Sequence, residues 1–184
     1  ATTEANTIYV PLQFWFNRNP GLALPLIALQ YHEVKFNIEF NAQSKCTAEA
    51  STLNLGDTSL YVDYIYLDTD ERRRFAQTSH EYLIEQLQYT GSESLSGSNH
   101  KVKLNFNHPV KELVWVVTAD DEADALDFSS IKTAKLQLNG HDRFSEREGR
   151  YFNLVQPYQH HTRVPSTGVN VYSFGLKPEE HQPS

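Results

Sequence analysis

Between His32 and Phe40 the chain alternates without a break: Val34, Phe36, Ile38 and Phe40 are apolar, and Glu33, Lys35, Asn37 and Glu39 are polar or charged. A period of two puts the apolar set on one face of extended backbone, so this segment reads as a strand with one face covered. Ile8, Val10, Leu12, Phe14 and Phe16 repeat the pattern. Pro11 falls on the opposite face of that run and has no N–H, which assigns this strand to a sheet edge or a bulge. The 10 Tyr, 10 Phe and 2 Trp suit pleated surfaces and favour strands over an all-helical bundle.

The turn residues Asn17, Asn19, Pro20 and Gly21, with Pro25 beyond them, make a loop between these two strands. A weakly patterned polar stretch, 41–59, leads to a third strand over Leu60 to Leu67. The cluster from Asp68 to Arg74 mixes both signs and reads as a solvated loop with mutual ion pairing. One helix is expected after it, opened by a capping box of Thr78 with Glu81 and carrying Leu83, Ile84 and Leu87 as its apolar stripe. The Gly- and Ser-rich run from Gly91 to Asn99 marks a boundary between modules 1–90 and 91–184. Further strands are expected at Val102–Phe106, at Leu113–Val117 (buried on both faces), at Ala134–Leu138 and at Val169–Leu176. Asn139-Gly140 supplies a tight hairpin turn after Leu138. Short strands broken by turn signals, with one helix, define an all-β antiparallel sandwich or barrel.

A net charge of −7 disfavours direct contact with a nucleic-acid backbone or an anionic membrane. The single cysteine, Cys46, excludes an internal disulfide framework and suits a reducing compartment. There is no methionine, which reads as a processed chain or an excerpt of a longer reading frame. Of the 8 histidines, His160 and His161 are adjacent. Neighbours diverge on a strand or a helix and rarely chelate one ion, so they read as surface or turn residues. Asp120 to Asp124 reads as a solvated loop without calcium spacing. No nucleophile elbow or phosphate loop occurs, and Cys46 has no recognisable partner. No catalytic, cofactor-binding or metal-ligating residues are therefore assigned. Trp115 reads as core. Trp15 and Tyr9 share the other face of the first strand, either as an exposed stacking platform for sugars or as packing at a sheet or subunit interface.

Three strings go beyond composition: Phe14 to Val34 (FWFNRNPGLALPLIALQYHEV); Tyr61 to Ala76 (YVDYIYLDTDERRRFA), continuing into His80 to Gln88 (HEYLIEQLQ); and Gly168 to Ser184 (GVNVYSFGLKPEEHQPS). In this order they resemble segments of the major capsid proteins of nucleocytoplasmic large DNA viruses, especially those of algae and protists. The resemblance implies a double jelly roll, of which this chain is an internal fragment: the closing part of the first jelly roll, a short connector helix at His80 to Gln88, and the opening part of the second. It further implies a homotrimer forming pseudo-hexagonal capsomers of an icosahedral shell, in contact with neighbouring capsomers and minor capsid proteins. Contact with an internal virion membrane would run through other proteins, and none is made with nucleic acid. The location implied is the virion, assembled in the host cytoplasm, and the family offers no catalytic residues to transfer. The Asn17–Pro25 loop and the Asp68–Arg74 cluster are expected to fix local packing or subunit register. The alternatives are a carbohydrate-binding sandwich using Trp15 and neighbouring tyrosines and, more remotely, a glycosidase built on converging carboxylates.

Overall fold

Asp68 opens helix α1 (Thr69–Gln77). Its carboxylate accepts from the Glu71 N–H at 2.8 Å, and the Glu71 carboxylate accepts from the Asp68 N–H at 3.4 Å, a reciprocal capping box. Asp70 and Glu71 in the first turn and Arg74 in the last both complement the helix dipole. Thr78 is extended and ends the helix. The expected helix over 78–88 is therefore corrected. The working box lies ten residues earlier, and the supposed charged loop is the helix itself, with Arg73 3.5 Å from Asp70 as its expected ion pair.

The computed structural model describes residues 7–42, 56–118 and 130–181. The chain divides into two units, Ala1–Leu87 and Gln88–Ser184.

In the first unit the segments 8–14, 32–40 and 60–67 form no helix and join no ladder among the described residues, contrary to their reading as sheet strands. The first ends early, because Asn17 folds back on it: its amide donates to the Leu12 carbonyl at 2.6 Å and its Oδ1 accepts from the Phe14 N–H at 2.9 Å. The expected loop follows as a 3-10 turn, Pro20–Leu22, capped by Asn19 and burying Leu22.

The second unit contains β1 (Glu112–Trp115), β2 (Thr133–Ala134), β3 (Gln137–Leu138), β4 (His141–Asp142), β5 (Arg147–Glu148) and β6 (Asn170–Ser173). They form three antiparallel pairs: β1 with β6, with Glu112 opposite Ser173 and Trp115 opposite Asn170; β2 with β5; and β3 with β4. Asn139 and Gly140 turn the β3–β4 hairpin with φ of 51° and 85°, the left-handed pair a two-residue turn needs. Between β5 and β6 lies a helical stretch absent from the sequence reading, a π-helical turn (Tyr151–Val155) running into α2 (Gln156–His160).

That stretch carries the core. Phe152, 1% exposed, meets Trp115 at 5.3 Å, Phe144 at 5.7 Å and Tyr151 at 5.1 Å between ring centres. Buried amides complete the packing. Asn153 donates to the carbonyls of Ser166 (3.2 Å) and Val169 (2.9 Å), while Gln156 accepts from the Ser173 N–H (3.0 Å) and donates to the Tyr151 hydroxyl (2.8 Å). Leu113–Val117 is covered on one face only: Leu113, Trp115 and Val117 are half-buried, whereas Val114 and Val116 are exposed. One ladder neighbour and one helical layer cannot bury both sides, so the expectation of a doubly buried strand is corrected. Val102–Phe106 joins no ladder among the described residues, and Ala134–Leu138 is divided between β2 and β3.

Candidate assembly surfaces

The first two family-like strings come together inside the first unit. Phe14 stacks on Phe16 (5.0 Å) and meets Phe36 (5.7 Å), while Trp15 meets Phe16 edge-on (5.4 Å) and Tyr82 (5.9 Å). The Tyr82 hydroxyl donates to the Ala23 carbonyl at 3.3 Å, and Arg18 lies 3.5 Å from Glu85. Trp15 is thus a half-buried packing residue at the Asn17–Pro25 loop, not an open stacking platform, whereas Tyr9 is 80% exposed. His80 seats the end of α1, with Nε2 2.7 Å from the Phe75 carbonyl oxygen.

Two kinds of surface remain presented outward. One is apolar: Val34, Phe36, Ile38 and Phe40, and separately Leu60, Tyr61, Val62, Tyr64, Ile65 and Tyr66, are all exposed. The other is cationic: α1 has no buried residue, and Arg72, Arg73 and Arg74 project from it into solvent.

In the second unit the adjacent histidines separate as their spacing requires. His160 Nδ1 lies 3.0 Å from the Leu176 carbonyl oxygen; His161 inserts between Glu112 and Glu179. Sequence reasoning missed this His–Glu pairing, because its members lie far apart in the chain and share no local pattern. Partial burial pulls the His161 pKa down, but its hydrogen bonds and charge pairing with Glu112 and Glu179 outweigh that and hold it above the ordinary 6.5. The bond from His161, helped by donors on Thr162, holds Glu179 below the ordinary 4.5.

Among the described residues no group of three or more His, Cys, Asp or Glu is arranged to hold a metal ion. Cys46 and Asp120–Asp124 lie outside the described residues. A depression of about 430 Å³ is lined by Gln88, Tyr89, Thr90, Asn105, Phe106 and Asn107, none of them charged, and offers no acid–base pair. No helix among the described residues is long and apolar enough to cross a membrane.

Small antiparallel pairs, an aromatic core and exposed apolar segments among the described residues make a surface suited to association. Residues 71–184 match the family model described as large eukaryotic DNA virus major capsid protein, and residues 1–68 match the major capsid protein N-terminus. The chain belongs to this family of structural, non-enzymatic virion proteins. It is 59% identical to the major capsid protein of Pyramimonas orientalis virus, over all of this chain and 51% of that protein. With the major capsid protein of Paramecium bursaria Chlorella virus 1 it shares 44% identity over 96% of this chain and 50% of the relative. A quasi-atomic model of the PBCV-1 virus capsid superposes with a TM-score of 0.76 at 43% identity, covering 96% of this chain and 53% of that one. The chain spans about half the length of the relatives it matches.

Proposed function

We propose that this chain is part of a capsid subunit that trimerises into pseudo-hexagonal capsomers, which tile an icosahedral shell assembled in the host cytoplasm. Residues 1–90 supply the closing part of one jelly roll with its connector helix, and residues 91–184 the opening part of the next. The role involves no catalytic, cofactor-binding or metal-ligating residue. The observation that carries this reading is the apolar row Val34, Phe36, Ile38 and Phe40, left 38–53% exposed and joined to no ladder among the described residues. Such a row is stable only when another protein surface completes it, as in a sandwich. The sugar-binding alternative loses its main support, since Trp15 is engaged with Phe16 and Tyr82.

The shell's other contacts, with neighbouring capsomers and minor capsid proteins, would use loops at the sandwich ends and exposed charge such as α1. Native mass spectrometry of the full-length protein tests the trimer: a trimer is expected, and a stable monomer at assembly concentrations overturns it. Replacing Arg72, Arg73 and Arg74 together by Ala should abolish capsomer formation while leaving the monomer folded. Unchanged assembly would remove α1 from the interface.

A further inference from the structure

Beyond β6 the chain is held mainly by side chains. The Phe174 N–H donates to the Lys111 carbonyl at 2.9 Å, and no ladder continues past it among the described residues. The segment 175–180 is then tied down by contacts to α2 and β1. The Leu176 carbonyl meets His160, Lys177 Nζ donates to the Gln159 carbonyl at 3.3 Å, and Lys111 Nζ donates to the Glu180 carbonyl at 3.0 Å.

The centre of this arrangement is His161, the residue that caps α2, whose side chain is 17% exposed. Nδ1 lies 2.7 Å from Glu179 Oε1, and Nε2 is hydrogen-bonded to Glu112 Oε1. Glu179 also accepts from Thr162, through its N–H at 3.4 Å and its hydroxyl at 3.2 Å. Ionised carboxylates only accept, so a ring bonded to both must carry a hydrogen on each nitrogen and is an imidazolium. A neutral ring has one N–H and would turn a lone pair towards the second carboxylate.

We propose that His161 is a pH-operated clasp: as an imidazolium it ties Glu179, and with it the segment after β6, to Glu112 of β1, and on losing its proton it gives up one of these two bonds and loosens that segment, which the contacts of His160, Lys111 and Lys177 still hold. The charged and titratable groups around it are Glu112 and Lys111 from the β1 side, Glu179, Glu180 and Lys177 from the segment after β6, and His160 and Arg163 from its own neighbourhood. Because the folded state raises the His161 pKa, the stabilisation is complete below the ordinary histidine value and is lost as pH rises through the raised one. Because it lowers that of Glu179, that contribution is present above the ordinary carboxylate value and is lost as pH falls through the lowered one. The clasp is therefore closed between these limits and loosens on the alkaline side by loss of the ring proton.

Hydrogen exchange with mass spectrometry on the full-length protein, corrected for the intrinsic pH dependence of exchange, tests this. Protection of amides 175–181 should fall about tenfold from about pH 6 to about pH 9, the size of one charge-assisted hydrogen bond given up, while the β1–β6 ladder stays unchanged. His161→Arg, charged throughout, should keep protection high and flat; His161→Gln should leave it low and flat. A flat wild-type profile, or a fall shared by the whole unit, overturns the proposal even if neither variant folds. The same fall in His161→Gln as in wild type overturns it as well.

Discussion

Gly149 sits where two backbones cross, and replacing it by Ala tests how tightly the second unit is packed there. A Cβ at this position would lie 1.9 Å from the Ile131 carbonyl oxygen and 2.9 Å from its carbon. Both are main-chain atoms that cannot rotate away. The Gly149 N–H donates to the Lys132 carbonyl at 3.0 Å, immediately beside the β2–β5 pairing of Thr133 with Glu148. To admit the methyl group the two segments must separate by more than an ångström. That costs about 1 kcal/mol for the hydrogen bond and about 1–3 kcal/mol for overpacking, so about 2–4 kcal/mol in all. With a urea dependence of about 2 kcal/mol per molar, the unfolding midpoint should fall by about 1–2 M. Tryptophan fluorescence is a suitable signal, since Trp115 packs on Phe152 in the same core. Gly56→Ala is the control: nothing lies within 4 Å of its Cβ and its φ is not positive, so a change within about 0.5 kcal/mol is expected. A midpoint shift for Gly149→Ala no larger than that of the control would refute the reasoning, because it would mean that the crossing opens without cost.

Asp68→Ala removes the carboxylate that accepts from the Glu71 N–H, leaving only the bond from the backbone N–H of residue 68 to Glu71, at a cost of about 1 kcal/mol, and α1, at 9 residues with none buried, has little else to hold it. Exchange protection over 69–77 should drop about fivefold, and unaltered protection would show that the helix is anchored elsewhere. Asn153→Ala strips the donors from the Ser166 and Val169 carbonyls and should cost about 2–3 kcal/mol; Asn153→Asp should cost more, because a carboxylate faces both carbonyls with acceptors only. Thermal unfolding orders the two, and an Asp variant as stable as wild type would show that these bonds are not the ones that matter.

What was legible in the sequence was what depends on neighbours in the chain. Asn139-Gly140 announced its hairpin because the left-handed φ values it needs belong to those two residues alone. The apolar runs at Leu113–Val117 and Val169–Leu176 announced β1 and β6, but not that only one face of β1 would be covered, which depends on how many layers meet it. The helix was misplaced because Thr78 with Glu81, followed by an apolar stripe, draws the reading away from Asp68 with Glu71 ten residues earlier, which reads as part of a charged loop. The structure closes the first, and Leu83 and Leu87 end up 62% and 94% exposed. His161 was read as a surface or turn residue, because Glu112 and Glu179 stand 49 and 18 residues from it and nothing local joins them.

The same distinction explains why a polar segment takes up regular structure where apolar ones do not. The hydrogen bonds of α1 close within one turn, so Asp68 to Gln77 forms a helix although it buries nothing. A strand's bonds are made to another strand, so the strongest apolar alternation in the chain, Val34 to Phe40, can fix its faces but not its partner. Here it touches Phe14 through Phe36 and leaves Ile38 and Phe40 each 53% exposed. Tyr61 to Tyr66 is in the same position, more exposed still. Hydrophobicity in these segments therefore encodes a surface awaiting coverage rather than a finished core. In the capsid subunit proposed above, that coverage would come from the rest of the protein and from neighbouring subunits, so completing the strands and assembling the shell would draw on the same apolar faces.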